Sequence, residues 1–327
     1  MKILVTGATG FLGSWVLSRL VTQYGKENVV GTGRNVTKSV KMEEEGFVIV
    51  RGDLTDPSFV KNYLQGFTHV VHCAAKSSLW GSYDSFYRSN VVATQNLLNE
   101  IHGIERFIYI STPSIYFMFS DRFQVREDSA LPSRFVNHYT ATKYLAEKEV
   151  LACPAGNMIR VILRPRALVG AGDTVIVPRV IRAFKAGKLR IIGDGKNICD
   201  FTSVKNISHA VALAISSGRE INGKIFNITD GQPIQIWRLM EDTLMKMGYE
   251  PHLRKINYRL VFAVATISEL MHRLLNLGEP VLTRYGVGLL RYSQTLDISA
   301  ARQWLGYEPI VTTEESLAEF IESYRDE

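Results

Sequence analysis

Short apolar runs alternate with longer amphipathic stretches through the first half of the chain. The apolar runs read KILVTG, NVVGTG, FVIVRGD, HVVHCAA, RFIYIST and MIRVILRP, and helical patterns lie between them at about residues 11–24, 85–101 and 139–152. Strands without internal polar alternation are typical of a parallel sheet that helices cover on both faces. With right-handed crossovers, this pattern predicts an α/β fold built on a doubly wound parallel sheet of the Rossmann type.

The second half predicts a smaller lobe that is interleaved with this sheet. An irregular stretch rich in Gly and Arg follows MIRVILRP, and then come a helix near residues 208–217, the strand KIFNIT and mostly helical sequence. We therefore assign residues 1–164 to the Rossmann domain, with residues 198–229 returning to it. Residues 165–197 and 230–327 are assigned to the smaller C-terminal lobe, which is expected to bind substrate.

The composition is that of a globular protein. The chain has 327 residues, 46% of them hydrophobic, which is enough for one large core or two joined lobes. Cys73, Cys153 and Cys199 are far apart in the sequence and form no Cys-x-x-Cys pair, which fits a reducing compartment. The glycine-rich N-terminus lacks the apolar core of a signal peptide. We therefore expect a cytoplasmic protein.

One lipophilic segment, residues 258–278, is also basic. Arg259, Glu269, His272 and Arg273 interrupt it, so it falls short of a membrane-spanning helix. The formal net charge is +6, and residues 251–291 hold six Lys or Arg and two Glu. An amphipathic lid helix is the simplest interpretation, and a peripheral contact of residues 258–277 with an anionic membrane, or a contact with an acidic substrate, is the alternative. No basic run is interleaved with aromatic residues, so we expect no nucleic-acid partner.

The segment VTGATGFLG places three glycines after the first strand and at the opening of the first helix. Glycines there permit a tight turn and a close approach of the backbone to a pyrophosphate, to which the helix N-terminus presents free N–H groups. This context predicts a dinucleotide site, and a strand-to-helix turn that merely needs glycine is the simpler alternative. The candidate residues are Gly7, Thr9, Gly10, Phe11, Leu12 and Gly13.

The end of the second strand indicates which dinucleotide binds. An NAD site usually has a carboxylate there for the ribose hydroxyl, whereas this chain has Gly33 followed by Arg34. A guanidinium can pair with a phosphate through two hydrogen bonds. We therefore predict NADP(H) rather than NAD(H), with Arg34 on the 2′-phosphate and Lys38 as a candidate for additional support. An ordinary loop arginine is the alternative for Arg34. Asp53 and Leu54, in GDLTD, are expected beside the adenine, unless Asp53 is an ordinary turn residue.

The segment HYTATKYLAEKEV, residues 138–150, contains two overlapping Tyr-x-x-x-Lys pairs, Tyr139 with Lys143 and Tyr144 with Lys148. Residues four apart share a face of a helix. A nearby ammonium favours the phenolate and lowers a pKa that starts near about 10, so either pair can serve as a proton donor. Spacing alone does not separate this chemistry from two solvated helix pairs.

Six segments, taken in order, make the first half resemble the extended short-chain dehydrogenase/reductase family of the epimerase/dehydratase superfamily. They are TGATGFLG, GDLTD, HCAA, SNVVATQNLL, YISTPSIY and YTATK. The second half is similar to the branch of 3β-hydroxysteroid dehydrogenases, sterol dehydrogenases and bacterial β-keto acid reductases, through LRPRALVGAGD and QTLDISAARQWLGYEP. The resemblance implies an NAD(P)-dependent oxidoreductase, and a homodimer because helix-paired dimers are common in the family.

The family pattern selects Tyr139 and Lys143 as the reactive pair, since YTATKYLAE matches it only in that register. The resemblance implies that Tyr139 is the general acid for carbonyl reduction or the general base for alcohol oxidation. It also implies that Lys143 lowers the pKa of Tyr139 and bonds the nicotinamide ribose. Thr112 aligns with the hydroxyl that holds the substrate oxygen, and Ser111 and Ser114 are the neighbouring alternatives.

Four further residues match supporting positions of the family. Asn90 aligns with an asparagine that fixes a water or the geometry of the active-site helix, and a helix-interior residue that bonds locally is the alternative. Ala74 and Ala75 end the fourth strand, where small side chains let the cofactor lie close. Pro165 follows the sixth strand near the expected nicotinamide end.

The loops expected at the carboxyl ends of the strands are apolar and aromatic, which favours a lipophilic ketone or secondary alcohol over a sugar nucleotide. The alternative is that these side chains belong to the core; they are Leu79, Trp80, Phe86, Phe117, Met118 and Phe119. A β-keto acid would have its carboxylate met by Arg166, Arg179 or Arg182. The candidate substrate contacts are Lys76, Trp80, Ser114, Phe117 and Arg166.

Three hypotheses for the function stay open. The first is an NADP(H)-dependent oxidoreductase acting on a lipophilic carbonyl or alcohol. The second is a nucleotide-sugar epimerase or dehydratase, and the third is a binding protein that senses NADP(H) without turnover, which has no need of the Tyr–Lys pair. We expect no catalytic metal, because His69 and His72 are three apart on a strand and point to opposite faces.

Overall fold

The computed structural model describes residues 1–154 and 156–325. The strands in this part of the chain are β1 (Ile3–Thr6), β2 (Val29–Gly33), β3 (Val48–Arg51), β4 (His69–His72), β5 (Arg106–Ile110), β6 (Arg122–Val125), β7 (Ile159–Pro165), β8 (Leu168–Val169), β9 (Ile191–Ile192), β10 (Ile198–Cys199), β11 (Thr202–Ser203), β12 (Lys224–Ile228), β13 (Ile234–Gln235), β14 (Lys255–Ile256) and β15 (Gln294–Leu296).

The α-helices are α1 (Phe11–Tyr24), α2 (Val36–Glu44), α3 (Pro57–Tyr63), α4 (Tyr83–Tyr87), α5 (Ala93–Glu100), α6 (His138–Ala152), α7 (Ile176–Lys185), α8 (Val204–Ser216), α9 (Ile236–Lys246), α10 (Tyr258–Leu274), α11 (Arg284–Leu289), α12 (Ser299–Leu305) and α13 (Thr313–Arg325). A π-helical turn, Arg88–Val92, joins α4 to α5, and 3-10 turns lie at Pro113–Tyr116 and Arg219–Ile221.

Seven parallel strands form the central sheet in the order β12-β7-β5-β4-β1-β2-β3. The predicted doubly wound parallel sheet is therefore confirmed. Every residue of β1, β4 and β5 is buried, as expected for strands covered on both faces. The strand order reverses at β1, which pairs with β2 on one side and β4 on the other. A ligand crevice forms at the carboxyl ends of the strands beside such a reversal.

Helices cover both faces of this sheet. On one face α1 packs against α8, and their apolar residues, including Val16, Leu20 and Val211, join one core with the strands. On the other face α3, α5 and α6 contribute to a second core that contains Leu97 and Val150. The rigid sheet thereby fixes where α6 and the end of β5 stand relative to the turn after β1.

The smaller lobe is built on a four-stranded sheet in the order β13-β10-β15-β6. Helices α7, α9, α10, α11 and α13 add to its core around Trp237, whose Nε1 donates to the Leu290 carbonyl at 3.1 Å. Segment 198–229, which we assigned to the Rossmann domain, is divided: α8 and β12 return to the large sheet, whereas β10 pairs within the small one. Strand β6, from the first half of the chain, also lies in the small sheet.

Two helices differ from the sequence prediction at their ends or interior. The helix expected at about residues 85–101 begins at Tyr83 and contains the π turn. The helix expected at residues 208–217 begins at Val204, because the Ser203 hydroxyl caps it by accepting from the Lys205 N–H. None of the helices in the described residues has the length and apolarity to cross a membrane.

Candidate active site

The turn after β1 has no space for side chains at its glycines. Gly7 has φ of +67°, and a Cβ there would lie 2.7 Å from the Ala74 backbone nitrogen. A Cβ on Gly13 would lie 2.1 Å from the Gly7 carbonyl oxygen, so α1 can pack close to the turn only with glycine. Gly10 begins α1 without a side-chain cap. The first N–H groups of α1 therefore face the crevice and fit a pyrophosphate.

The adenosine end of the crevice is a cavity of about 280 Å³. The turn, the ends of β2 and β3 and the loop after β4 line it, through residues that include Thr9, Gly33, Arg34, Asn35, Asp53, Leu54, Ala74, Ala75 and Ser89. This set fits the adenosine half of a dinucleotide. Lys38, predicted as support for Arg34, is not among the lining residues; its backbone N–H donates to the Asn35 cap at 2.9 Å.

Arg34 and Asp53 form an ion pair at the rim of this cavity, with Nη1 3.2 Å from Oδ2. Burial alone would raise the pKa of Asp53, but hydrogen bonds from Thr55 and the charge of Arg34 lower it overall. The Arg34 side chain is 65% exposed, so it can turn toward a phosphate without leaving a buried partner. Arg34 is thus placed where the sequence predicts it, beside the predicted adenine pocket.

The predicted reactive residues meet in a second cavity, of about 480 Å³, which adjoins the first through Gly7, Cys73 and Ala75. Tyr139 and Lys143 enter it from α6, and Thr112 enters it from the end of β5. Phe11, Leu12 and Pro165 line the cofactor side. The opposite wall is apolar and includes Leu79, Phe201, Ile236, Met240, Leu289 and Leu290.

Lys143 is a buried amine held by backbone and ring contacts. Its Nζ donates to the Ile110 carbonyl at 2.5 Å and lies 4.0 Å from the centre of the Tyr109 ring. Burial lowers the pKa of Lys143 to about 7, although the nearby Glu147 charge opposes this shift. The charge of Lys143 therefore changes near neutral pH.

Tyr139 is hydrogen-bonded to Thr112, and burial raises the pKa of Tyr139 to about 12 despite that bond. We expected Lys143 to lower this pKa, but the lowering cause is the hydrogen bond with Thr112, and Lys143 is not among the groups that shift it. The Lys143 amine donates to Ile110 and lies over the Tyr109 ring, while the phenol sits in a poorly solvated cavity. Tyr139 is consequently a protonated donor across the neutral pH range.

A buried ion pair fixes α6 one helical turn after Lys143. The Glu147 carboxylate accepts from Arg164 Nε at 2.9 Å and from Nη2 at 2.6 Å. Their side chains are 1% and 3% exposed. Because Glu147 lies one helical turn after Lys143, this pair holds α6 against β7 and places a carboxylate near the Lys143 amine.

Asn90 lies in the π turn between α4 and α5 and ties three segments together. Its Oδ1 accepts from the Lys76 N–H at 2.8 Å, and its Nδ2 donates to the Thr142 hydroxyl at 3.0 Å and the Lys76 carbonyl at 3.3 Å. Thr142 precedes Lys143 on α6. Asn90 thus positions α6 relative to the loop after β4 and does not line either cavity itself.

Several predicted substrate contacts lie elsewhere. The Lys76 amine donates to the Ser85 hydroxyl at 2.6 Å and lies 5.0 Å from the Phe86 ring centre. Phe117 is buried, with its ring edge-on to that of Tyr285 and 5.0 Å between ring centres. Trp80 lines a separate cavity of about 780 Å³ beside the end of α10. Apolar loops predict proximity to the crevice, but Phe117 and Trp80 pack against the lobe and Lys76 packs against α4, outside the substrate cavity.

Of the three arginines proposed to meet a carboxylate, one lines the substrate cavity, and it is Arg166. Arg179 is ion-paired with Glu279 at 3.3 Å, and Arg182 is exposed on α7. Ser114 also lines the cavity. Its hydroxyl oxygen accepts from Thr112 at 3.0 Å and from the Tyr285 phenol at 2.7 Å.

Tyr285, at the start of α11, is a cavity residue that the sequence did not reveal. Its phenol reaches Ser114 across 171 positions of sequence, and burial raises its pKa. No pattern in the sequence indicates it, because its segment TRYGVGLL carries no motif. Gln294, which accepts from Arg166, opens the segment QTLDISAARQWLGYEP that carries the branch resemblance, but the resemblance implied no role for this residue.

The second Tyr–Lys pair packs away from the cavities. Tyr144 lies against Phe135, with ring centres 5.1 Å apart, and Lys148 is exposed. His72 is buried between the hydroxyls of Thr6 and Thr94, and burial lowers its pKa to about 3. Within residues 1–154 and 156–325 there is no group of three or more His, Cys, Asp or Glu able to hold a metal.

The chain belongs to the NAD dependent epimerase/dehydratase family, whose model matches residues 3–229. The resemblance to extended short-chain dehydrogenases/reductases is thereby confirmed, and the chain is an NAD(P)-dependent oxidoreductase of that type.

Individual proteins that are similar to the chain include a reductase and a dehydrogenase. The chain is 35% identical over 331 residues to a 2-alkyl-3-oxoalkanoate reductase of Stenotrophomonas maltophilia (strain K279a), with 97% of both chains covered. It is 28% identical over 334 residues to the sterol-4-alpha-carboxylate 3-dehydrogenase, decarboxylating, of Mus musculus, covering 99% of this chain and 91% of that one. Among solved structures, MoeE5 in complex with UDP-glucose and NAD superposes with a TM-score of 0.75, 25% identity, and coverage of 100% and 99%.

Proposed function

We propose that the protein is an NADP(H)-dependent oxidoreductase that interconverts a ketone and a secondary alcohol on a lipophilic substrate of the β-keto acid or sterol carboxylate type. The observation that carries this proposal is the convergence of Tyr139, Lys143 and Thr112 in one cavity. That cavity has the glycine turn on one side and an apolar wall from the lobe on the other.

The cofactor preference rests on Arg34. At the end of β2 this chain has a guanidinium where a ribose-binding carboxylate would favour NAD. Arg34 stands at the rim of the adenosine cavity with an exposed side chain and with Asp53 as its partner. A 2′-phosphate would take the place of that carboxylate as its anion.

Each residue of the cavity has a separate role in the proposed reaction. NADP(H) supplies or accepts the hydride at the substrate carbon. Tyr139, protonated because burial raises its pKa to about 12, donates its proton to the carbonyl oxygen during reduction. Thr112 holds that oxygen and bonds Tyr139. Lys143 lines the same cavity, where its ammonium would bond the cofactor ribose and add positive charge near the oxygen that becomes negative during reduction. Asn90 positions α6 through Thr142.

The substrate class follows from the cavity wall and from the relatives. The lobe contributes Ile236, Met240, Leu289 and Leu290, which suit an alkyl chain or fused rings better than a sugar. The names of the two relatives share one relationship: a 2-alkyl-3-oxoalkanoate and a sterol-4-carboxylate oxidised at C3 both carry the carboxylate on the carbon next to the reacting one. We therefore propose a substrate whose reacting oxygen is on the β-carbon of a carboxylic acid.

Helix α10 offers a route for such a substrate from a membrane surface. Of the 22 exposed large hydrophobic residues in the described chain, ten lie between positions 260 and 282. The helix also exposes Arg259 and Arg273, whereas its Glu269 is buried against Arg284 at 2.8 Å. An apolar face rimmed by cations matches an anionic lipid surface. The cavity at the end of this helix shares Leu79 with the substrate cavity.

The function is tested by the variant Tyr139→Phe. Turnover of a lipophilic 3-hydroxy acid or 3β-hydroxysteroid with NADP⁺ should fall at least about 100-fold, since general acid–base groups contribute about that much. NADPH affinity, measured by fluorescence titration, should stay nearly unchanged. Tyr144→Phe, on the same helix but outside the cavity, is the matched control. Turnover of a nucleotide sugar instead of these substrates would favour the epimerase alternative.

A further inference from the structure

Arg166 is a buried cation in the substrate cavity that forms no ion pair with any described residue. Its side chain is 6% exposed and lines the cavity that holds Tyr139. Nη1 donates to Gln294 Oε1 at 2.5 Å, while Nε has no hydrogen-bond partner among the described residues. A buried guanidinium normally has a carboxylate partner, because taking an unpaired charge out of water is costly.

The two other buried arginines in the described residues have stronger partners. Arg164 forms a bidentate pair with Glu147. Arg106 donates to the carbonyls of Ala214 and Ser217, at the C-terminal end of α8, where a cation is favourable, although its Nε, like that of Arg166, has no hydrogen-bond partner. Arg166 differs from both because it has neither a bidentate carboxylate nor a helix C-terminus, and its oxygen partner is a single side-chain amide.

No neighbouring acidic group in the described residues forms an ion pair with Arg166. The guanidinium contacts the Cys199 thiol, and burial raises the pKa of Cys199 to about 12, so the thiol is uncharged at neutral pH. Burial raises the pKa of Asp200 to about 6 although the Arg166 charge lowers it, so Asp200 is charged at neutral pH. Its Oδ2 accepts from the Leu296 N–H at 2.7 Å and does not pair with the guanidinium. The guanidinium therefore retains the capacity to pair with an anion.

Arg166 also stands at a useful position relative to the reacting group. Tyr139 bonds Thr112, Thr112 donates to Ser114, and Ser114 accepts from Tyr285. Tyr285 in turn feels the charge of Arg166. A row of hydrogen-bonded hydroxyls thus runs from the proton donor to Tyr285, and the Arg166 charge acts on the end of this row.

We propose that Arg166, held by Gln294, binds the substrate carboxylate while Tyr139 and Thr112 bind the reacting oxygen. This inference rests on the proposed function, because it names the group that selects a β-oxygenated carboxylic acid from other lipophilic ketones and alcohols. In such an acid the carboxylate group is attached to the carbon next to the reacting carbon. The carboxylate and the reacting oxygen therefore lie close enough together to bind along the same wall of the cavity. The alkyl groups then occupy the apolar wall.

The test compares an acid with its neutral ester in two variants. A stable 2-alkyl-3-hydroxy acid and its methyl ester are oxidised with NADP⁺ by the wild type, by Arg166→Met and by the control Arg182→Gln, which changes an exposed arginine of α7. We expect Arg166→Met to lower kcat/KM for the acid by about 10- to 100-fold, the size of a hydrogen bond to a charged group. The ester should be affected little, so the acid-to-ester ratio should collapse, and Arg182→Gln should leave it unchanged.

Four outcomes separate the possibilities. An equal loss for acid and ester in a variant that melts like the wild type would show a structural role and overturn the inference. An unchanged ratio would overturn it as well. If the wild type oxidises a neutral 3β-hydroxysteroid and the ester as well as the acid, the proposed function stands and the carboxylate site does not. If the wild type acts on none of these compounds, the proposed function fails first.

Discussion

The substitution Glu147→Gln removes the counter-charge of a buried guanidinium and should have two distinct consequences. The Arg164–Glu147 pair is almost completely buried, with side chains 3% and 1% exposed and two hydrogen bonds of 2.9 and 2.6 Å. Breaking such a pair by removing one partner costs about 3–5 kcal/mol, because an uncompensated charge stays in the interior. Glutamine keeps one oxygen for Arg164, so we expect the lower end, about 3 kcal/mol of unfolding free energy.

The second consequence concerns Lys143. Its pKa is about 7 because burial lowers it, and the Glu147 charge opposes that shift. Without the carboxylate the pKa should fall further, so a smaller fraction of Lys143 is charged at pH 7. Reduction should then suffer more at pH 7 than at pH 6. A variant that is merely less stable would lose activity without this change in pH dependence.

Urea unfolding of the full chain, followed by tryptophan fluorescence, measures the first effect, and a pH–rate profile measures the second. Asp128→Asn is the control, because the Arg126–Asp128 pair is 64% and 80% exposed at 3.5 Å. Exposed pairs contribute about 0–1 kcal/mol. If Glu147→Gln and Asp128→Asn shift the unfolding midpoint equally, the buried pair does not stabilise α6 as argued here.

Three further predictions address the cofactor, the proton donor and the surface. Arg34→Ala should raise the KM for NADPH by about tenfold and leave that for NADH unchanged, as for loss of one charge-assisted hydrogen bond; equal KM values for both cofactors in the wild type would contradict NADP(H) preference. Reduction should fall as pH rises through about 7, where Lys143 loses its charge, since Tyr139 stays protonated to about pH 12; a decline only in the alkaline range would contradict this assignment. The protein should sediment with vesicles that contain phosphatidylglycerol but not with neutral vesicles. The double variant Ile267→Glu, Leu274→Glu should abolish this sedimentation, and the control Met245→Glu should not. Self-association through α10 without vesicle binding would instead identify a dimer interface.

The cofactor half was readable from sequence because its parts are local. A strand, a glycine turn and the opening of a helix occupy consecutive positions, so VTGATGFLG specifies their geometry without knowledge of the rest of the chain. The end of β2 follows the same logic, and Arg34 stands beside Asp53 as the strand order requires. Lys38 lies on α2 after the Asn35 cap and does not line the cavity, so its support of a 2′-phosphate stays a prediction.

The substrate half was only partly readable, because long-range contacts decide it. The sequence placed an arginine directly after β7, but the absence of an ion pair around Arg166 and the bond to Gln294, 128 positions away, are properties of the folded chain. Tyr285 reaches Ser114 from the lobe in the same way. Conversely, Phe117 and Lys76 have the right side-chain chemistry in the right loops, and packing directs them away from the cavity.

The residues for the reaction and the residues for substrate selection lie in different parts of the molecule. Residues that run the proton and hydride chemistry come from the sheet and α6, where one helix and three strand ends fix them together. Residues that select the substrate come from the boundary between the two sheets. There Arg166, directly after β7 of the large sheet, donates to Gln294 on β15 of the small sheet. A substitution at this boundary changes which substrate binds without disturbing Tyr139 or Lys143. Family members can therefore share the reaction and differ in substrate, so the residue at position 166 is more informative about substrate than the motifs that define the family.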